Sequence, residues 1–168
     1  MSNKLLAGLR KVIDSLIILL YGFMCVSILV QVIGRYVFNF STGSIVEAAT
    51  FAQVWMVMLA AGVAMRMNLH NAMDLLAQKL SRPVYRALVV VSAAACLWFL
   101  GVTLLGGLPL LEIGQYQTSP ALEIPMSVPY YAIPVGCLYF ALEILLYAVK
   151  RWRAGKPEEQ ALDQMEVN

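Results

Sequence analysis

Four apolar runs, Val12–Ile33, Ile45–Met65, Val84–Leu111 and Val128–Trp152, constrain this chain more than any other feature of it. Crossing about 30 Å of hydrocarbon takes a helix of about twenty residues, and each run is that long. A hydrophobic fraction of 61% over 168 residues, with a mean hydropathy of +0.74, places the composition outside the range of soluble globular domains. The expected fold is an all-α integral membrane protein with four transmembrane helices. Residues 1–156 are expected to form a single membrane domain, and 157–168 a short, acidic, disordered tail on the cytoplasmic side.

Charge placement carries the orientation. Lys4, Arg10 and Lys11 precede the first run; Arg66, Lys79, Arg82 and Arg86 surround the connection between the second and third; Lys150, Arg151, Arg153 and Lys156 gather at the end of the last. Only Arg35 lies at the other ends of the runs, so eleven of the twelve basic residues share one side. The excess of Lys and Arg on cytoplasmic loops then puts both termini in the cytoplasm. A net charge of +2, scattered among apolar runs, gives no nucleic-acid surface. Leu5, Leu6 and Leu9 between the first basic residues suggest a short amphipathic lead-in at the membrane surface. The first run is too long for a signal-peptide core and no small-residue cleavage site follows it, so it reads as a retained span.

Polar residues within the runs are the candidate sites, because an ionised group in hydrocarbon turns toward protein or water. The second run carries Glu47 and Gln53, about 120° apart on a helix, enough to share a broad polar side and too far apart for one ligand point. Ala48 with Ala52, and Ala60 with Ala64, are small-residue pairs that admit a close helix neighbour. Asp14 follows Arg10 and Lys11 by one helical turn and is expected to be neutralised by them. Gln31 can bond to a neighbouring helix or reach interfacial water. Glu143, about two turns inside the basic end of the fourth run, is expected to meet an Arg or Lys there. Arg35 and Glu47 stand at neighbouring helix ends, and an ion pair between them would relieve both an arginine on the unfavoured side and a carboxylate inside a span.

Between the second and third runs, Leu69, Met73, Leu76 and Leu80 recur at helical spacing while Asn71, Asp74 and Gln78 fall on other faces, which predicts a surface helix over Asn68–Ser81. His70, the only histidine, has no second His, Cys or Ser near it and reads as an interfacial or interaction residue. Pro83 closes that segment or opens the next helix at its first turn. Gly106, Gly107 and Pro109 near the end of the long third run predict tilt or a bend. The polar connection Glu112–Pro125 has no Lys or Arg, and Pro129 and Pro134 stand in the first turns of the fourth run. Cys25, Cys96 and Cys137 lie inside apolar runs without a CxxC spacing and are expected to pack. No catalytic, metal-binding or cofactor-binding residue is expected.

Taken in order, Gly34-Arg35-Tyr36, Glu47, Trp55, His70 with Asp74, Gln117-Thr118-Ser119-Pro120-Ala121-Leu122, Ile124-Pro125, Tyr131 and Pro134 make the chain resemble the small membrane subunit of tripartite ATP-independent periplasmic (TRAP) transporters, the DctQ-like family. The resemblance runs over nearly the whole chain. It departs at one point: the family commonly has a tryptophan just before the acidic residue of the second span, where this chain has Ser44, Ile45 and Val46 before Glu47. The resemblance implies a bacterial inner-membrane complex in which a periplasmic substrate-binding protein delivers an organic anion to a large membrane subunit. That subunit moves substrate with sodium while the small subunit acts as a scaffold, among membrane lipids, with no cofactor of its own. Arg35, Glu47, Gln53, His70, Asp74, Gln117 and Glu143 are then the structural or partner-contact candidates. A self-sufficient homodimeric transporter would want a charge at the centre of a bundle, and Glu47 and Glu143 both lie toward span ends. A haem-bearing anchor would want paired histidines inside spans, and an enzyme a nucleophile with its base.

Overall fold

The computed structural model describes residues 3–67 and 81–154. Five helices account for them: α1 Asn3–Tyr36, α2 Gly43–Arg66, α3 Arg82–Tyr116, α4 Ser127–Tyr130 and α5 Ala132–Ala154. Four segments are long and apolar enough to cross a membrane, the fourth being α4 and α5 together as Ser127–Trp152. The expected surface helix over Asn68–Ser81, with His70 and Asp74, lies outside the described residues except for Ser81, as does the tail 157–168.

The first helix corrects one boundary. The lead-in and the first span are a single 34-residue helix, about 50 Å long at 1.5 Å per residue, which exceeds the hydrocarbon thickness by several turns. Apolar composition marks where a chain meets lipid, while helix propensity, which Lys, Arg and Leu share, marks how far the helix runs. At its other end Phe40 folds back over Gly34, where any Cβ would collide with the ring, and Asn39 takes a left-handed φ of 49° to complete the turn into α2.

The third span continues past the expected Leu111 to Tyr116, with Pro109 inside the helix. Pro83 stands in its first turn, where a missing N–H is least costly. Gly107 packs against Ile133, so that glycine makes room for a neighbour. In the fourth span the helix is interrupted at Tyr131, one turn before Pro134, whose ring cannot fit over the carbonyl of residue 130 in a regular helix. The interruption is at the end of the span, away from its middle.

Packing is concentrated on three interfaces, α1 with α2, α2 with α5, and α5 with α3, so the spans stand in the spatial order α1, α2, α5, α3. A third of the fourth span is buried against 6% of the first, which makes α5 the spine and α1 an edge. On one side of α5, Ile13, Leu59 and Tyr139 join α1, α2 and α5. On the other, Leu100, Cys137 and Ile144 join α3 to α5, with Met58 and Met65 of α2 against them, and Tyr85 with Val89 extends that seam toward the basic end. Backbones approach closely at two places: a Cβ on Gly114 of α3 would lie 2.7 Å from the Ser127 nitrogen of α4, and one on Gly136 of α5 would lie 2.9 Å from the Met58 carbonyl oxygen of α2, where one on Gly62 would also strike the Tyr139 ring.

Candidate functional site

Two polar constellations lie at opposite ends of the bundle. At the basic end, Arg10 and Asp14 are one turn apart on α1, a spacing that puts both on one face. Arg10 donates from Nε to Glu143 Oε1 at 2.8 Å and from Nη2 to Oε2 at 2.6 Å, a two-point fork that carries α1 onto α5. Asp14 accepts from Arg66 Nη2 at 2.7 Å and 2.9 Å, tying α1 to the last residue of α2. Glu143 is 1% exposed and Asp14 39%, so the first pair is a buried contact and the second a boundary one.

The expectation that Glu143 meets a basic residue thus takes a specific form, with Arg10 as the partner. The expectation for Asp14 is corrected. Arg10 turns to α5, and Asp14 is neutralised from α2 instead of by Arg10 and Lys11. An acid that follows its base along a helix is the weaker of the two orders, and buried Glu143 gains more from a guanidinium than a boundary carboxylate does. Farther along, Arg86 of α3 lies over the Trp152 ring at 5.5 Å, and Arg151 over Tyr147 at 5.4 Å.

At the opposite end the connection 117–126 folds into a small hairpin. Met126 N–H donates to Gln117 C=O at 2.9 Å, Ser119 N–H to Ile124 C=O at 2.9 Å, and Glu123 adopts a left-handed φ of 54° at the turn. This hairpin sits on the start of α2. Glu47 Oε2 accepts from the backbone N–H groups of Ala121 at 2.9 Å and Leu122 at 2.8 Å, and Ser44 Oγ donates to the Ala121 carbonyl at 3.0 Å. Trp55 Nε1 adds a longer bond, 3.3 Å, to the Val128 carbonyl of α4.

The expected Arg35–Glu47 ion pair is therefore absent among the described residues. Two converging amides satisfy Glu47 where a guanidinium was expected, and Arg35 is exposed in the last turn of α1. Local N–H donors from a tight turn can hold a carboxylate without a counter-charge. Gln53 is exposed on α2, and Gln117 contributes its carbonyl to the hairpin. The residues that sequence reasoning missed are Arg66 as the partner of Asp14, Ser44 and the 121–122 amides as partners of Glu47, and the Gly62 and Gly136 contacts. Depth matching was the available signal for the ion pairs, since Arg66, Asp14 and Glu143 all stand near the basic ends of their runs.

Among the described residues no three His, Cys, Asp or Glu side chains converge in a way that could hold a metal ion. What the two constellations do chemically is lock helices: one ties α1 to α2 and α5, the other ties the 117–126 hairpin to α2.

The family described as "Tripartite ATP-independent periplasmic transporters, DctQ component" matches residues 24–154, most of the chain. The C4-dicarboxylate TRAP transporter small permease protein DctQ of Rhodobacter capsulatus is 31% identical over 105 residues, which cover 61% of this chain and 46% of that relative. The protein of the same description from Vibrio cholerae serotype O1 is 24% identical over 185 residues, covering 92% of this chain and 80% of the relative. The chain thus spans less than half the length of the first of these relatives and four fifths of the second.

Proposed function

Because the chain belongs to the DctQ family of tripartite ATP-independent periplasmic transporters, as the small membrane subunit of such a transporter, we propose that it works as a fixed scaffold and carries no substrate itself. In this reading it sits in the bacterial inner membrane beside a large membrane subunit, which performs sodium-coupled uptake of an organic anion brought by a periplasmic binding protein. The observation that carries the reading is the state of Glu143. A carboxylate that binds and releases an ion or substrate must be reached by it, and Glu143 is 1% exposed with both oxygens held by Arg10.

Two further features support it. Asp14 and Glu47, the other acids in this part of the chain with a described contact, are occupied by Arg66 and by backbone amides. Among the described residues the spans are interrupted at Tyr131, at a span end, whereas carrier sites are built from helices broken near the middle and repeated in pairs. The relatives' names refer to C4-dicarboxylates. For this chain we propose only the wider class, an organic anion, with the choice of anion made by the binding protein and the large subunit.

Reconstitution tests the scaffold. Proteoliposomes are made with this chain alone, with the large subunit alone, and with both, each with and without the binding protein carrying its own labelled ligand and with a sodium gradient imposed. Uptake is expected only with both membrane subunits and the binding protein. Uptake of that ligand by this chain alone would overturn the scaffold in favour of a self-sufficient transporter.

A further inference from the structure

The basic-end ion pairs leave part of their hydrogen-bonding capacity unused, and they leave it facing a cavity. Arg10, Arg66, Glu143, Leu146, Tyr147 and Lys150 line a space of about 250 Å³. Glu143, Tyr147 and Lys150 recur at i, i+4 and i+7 along α5, so they stack on one face of that helix. Arg10 spends Nε and Nη2 on Glu143, which leaves the Nη1 donors. Arg66 spends Nη2 on Asp14, which leaves Nε and Nη1. Lys150 is exposed and pairs with no carboxylate among the described residues. Three cations thus meet two carboxylates, Glu143 and Asp14, and one positive charge remains in excess.

We infer that this cavity binds a phosphate group, supplied by the headgroup of an anionic phospholipid. The depth is right for one. Arg66 is the last residue of α2, and Trp152 with Arg86 over its ring stands just beyond Lys150, at the level where aromatic residues meet headgroups. Guanidinium groups suit the oxygens of a phosphate, and their spare N–H donors are held in place by the carboxylates behind them. Leu146 gives the same cavity an apolar wall beside the charged one, which fits an amphiphile better than a free ion. Basic pockets between spans on the positively charged side of a membrane protein take anionic headgroups by this chemistry. A lipid held there would bridge α1, α2 and α5 at the layer where their ion pairs already join them.

The test measures binding by native mass spectrometry on the full chain in neutral detergent, titrated with phosphatidylglycerol, with phosphatidylcholine of the same acyl chains, and with inorganic phosphate. One phosphatidylglycerol is expected to bind in clear preference to phosphatidylcholine. Lys150→Gln should weaken that preference about fivefold, the factor equivalent to about 1 kcal/mol for one basic group at an anionic headgroup. Lys4→Gln, which removes an exposed charge outside the cavity, should leave it unchanged. Equal binding of the two lipids, or equal loss in both variants, would overturn the site. Saturation by inorganic phosphate as tightly as by phosphatidylglycerol would uphold the phosphate chemistry and overturn the lipid as its source.

Discussion

Glu143 shows how far one residue's surroundings can be read from its position. Its depth inside the fourth span required a cation, and the basic end of the chain offered several; which one depends on the neighbouring helix, and only the fold says that this is α1 and so Arg10. The energetic consequence is asymmetric. Removing Glu143 alone strands a guanidinium that is 30% exposed, and removing Arg10 alone strands a fully buried carboxylate. Arg10→Met is therefore expected to cost about 3 kcal/mol or more, Glu143→Leu less, and the double change less than the sum of the two. The same treatment of Asp14 and Arg66 should cost about 1 kcal/mol or less, because Asp14 is 39% exposed and the pair is partly screened. Unfolding of the chain in mixed micelles measures all six variants, and strictly additive losses for Arg10 and Glu143 would contradict a cooperative buried pair. Glu47 teaches the complementary lesson. Sequence reasoning sought it a charged partner, but backbone donors carry no signature in a sequence, and the amides of Ala121 and Leu122 became available only when the hairpin folded back onto α2.

At the scale of elements, the spans were legible because hydropathy is a local property that needs no knowledge of neighbours. Their packing was not. The second span was expected to use Ala48 with Ala52 and Ala60 with Ala64 for close approach; in the structure Ala52 is buried, and the tightest contacts fall at Gly62 against Tyr139 and at Gly136 against Met58. Small residues permit approach without dictating it, and whichever small position faces the neighbour is decided by helix rotation. The glycines themselves can be sorted by what surrounds them. Gly136 faces backbone atoms of Met58 that cannot swing aside, so Gly136→Leu should force α2 and α5 apart at a cost of roughly 1–3 kcal/mol. Gly22 has nothing within 4 Å of its would-be Cβ, and Gly22→Ala should be neutral or stabilising by up to about 1 kcal/mol. Thermal denaturation of the two variants in the same detergent decides the point. Equal tolerance at both sites would mean that the α2–α5 contact is looser than the structure has it.

At the scale of the molecule, the spatial order α1, α2, α5, α3 leaves the two outer helices with broad apolar flanks. Trp98 is 78% exposed on α3, and Ile18 71% on α1. In water such faces would drive aggregation, whereas against lipid tails they cost nothing, and they leave room for another membrane protein to pack by shape. This arrangement fixes which ends of the spans share a membrane face but not which face is cytoplasmic; that depends on charge. Four crossings place the start of α1, the end of α2, the start of α3 and the end of α5 on one side, and the 37–42 turn with the 117–126 hairpin on the other. Among the described residues, Lys4, Arg10, Lys11, Arg66, Arg82, Arg86, Lys150, Arg151 and Arg153 belong to the first side, and Arg35 alone to the second. The translocation of basic flanks is what the insertion machinery resists, so the first side is expected to be cytoplasmic. Single cysteines at two exposed positions test this: Ser41→Cys in the first turn region and Lys4→Cys near the start of α1. The native Cys25, Cys96 and Cys137 all lie inside spans, beyond the reach of a charged, membrane-impermeant maleimide, so the unmodified chain gives the background. In spheroplasts, Ser41→Cys should label at once and Lys4→Cys only after the membrane is permeabilised. Labelling of Lys4→Cys with protection of Ser41→Cys would mean that the chain inserts against its own charge bias. The cavity around Arg10, Arg66 and Lys150 would then face the periplasmic leaflet, and the hairpin held by Glu47 would lie on the cytoplasmic side.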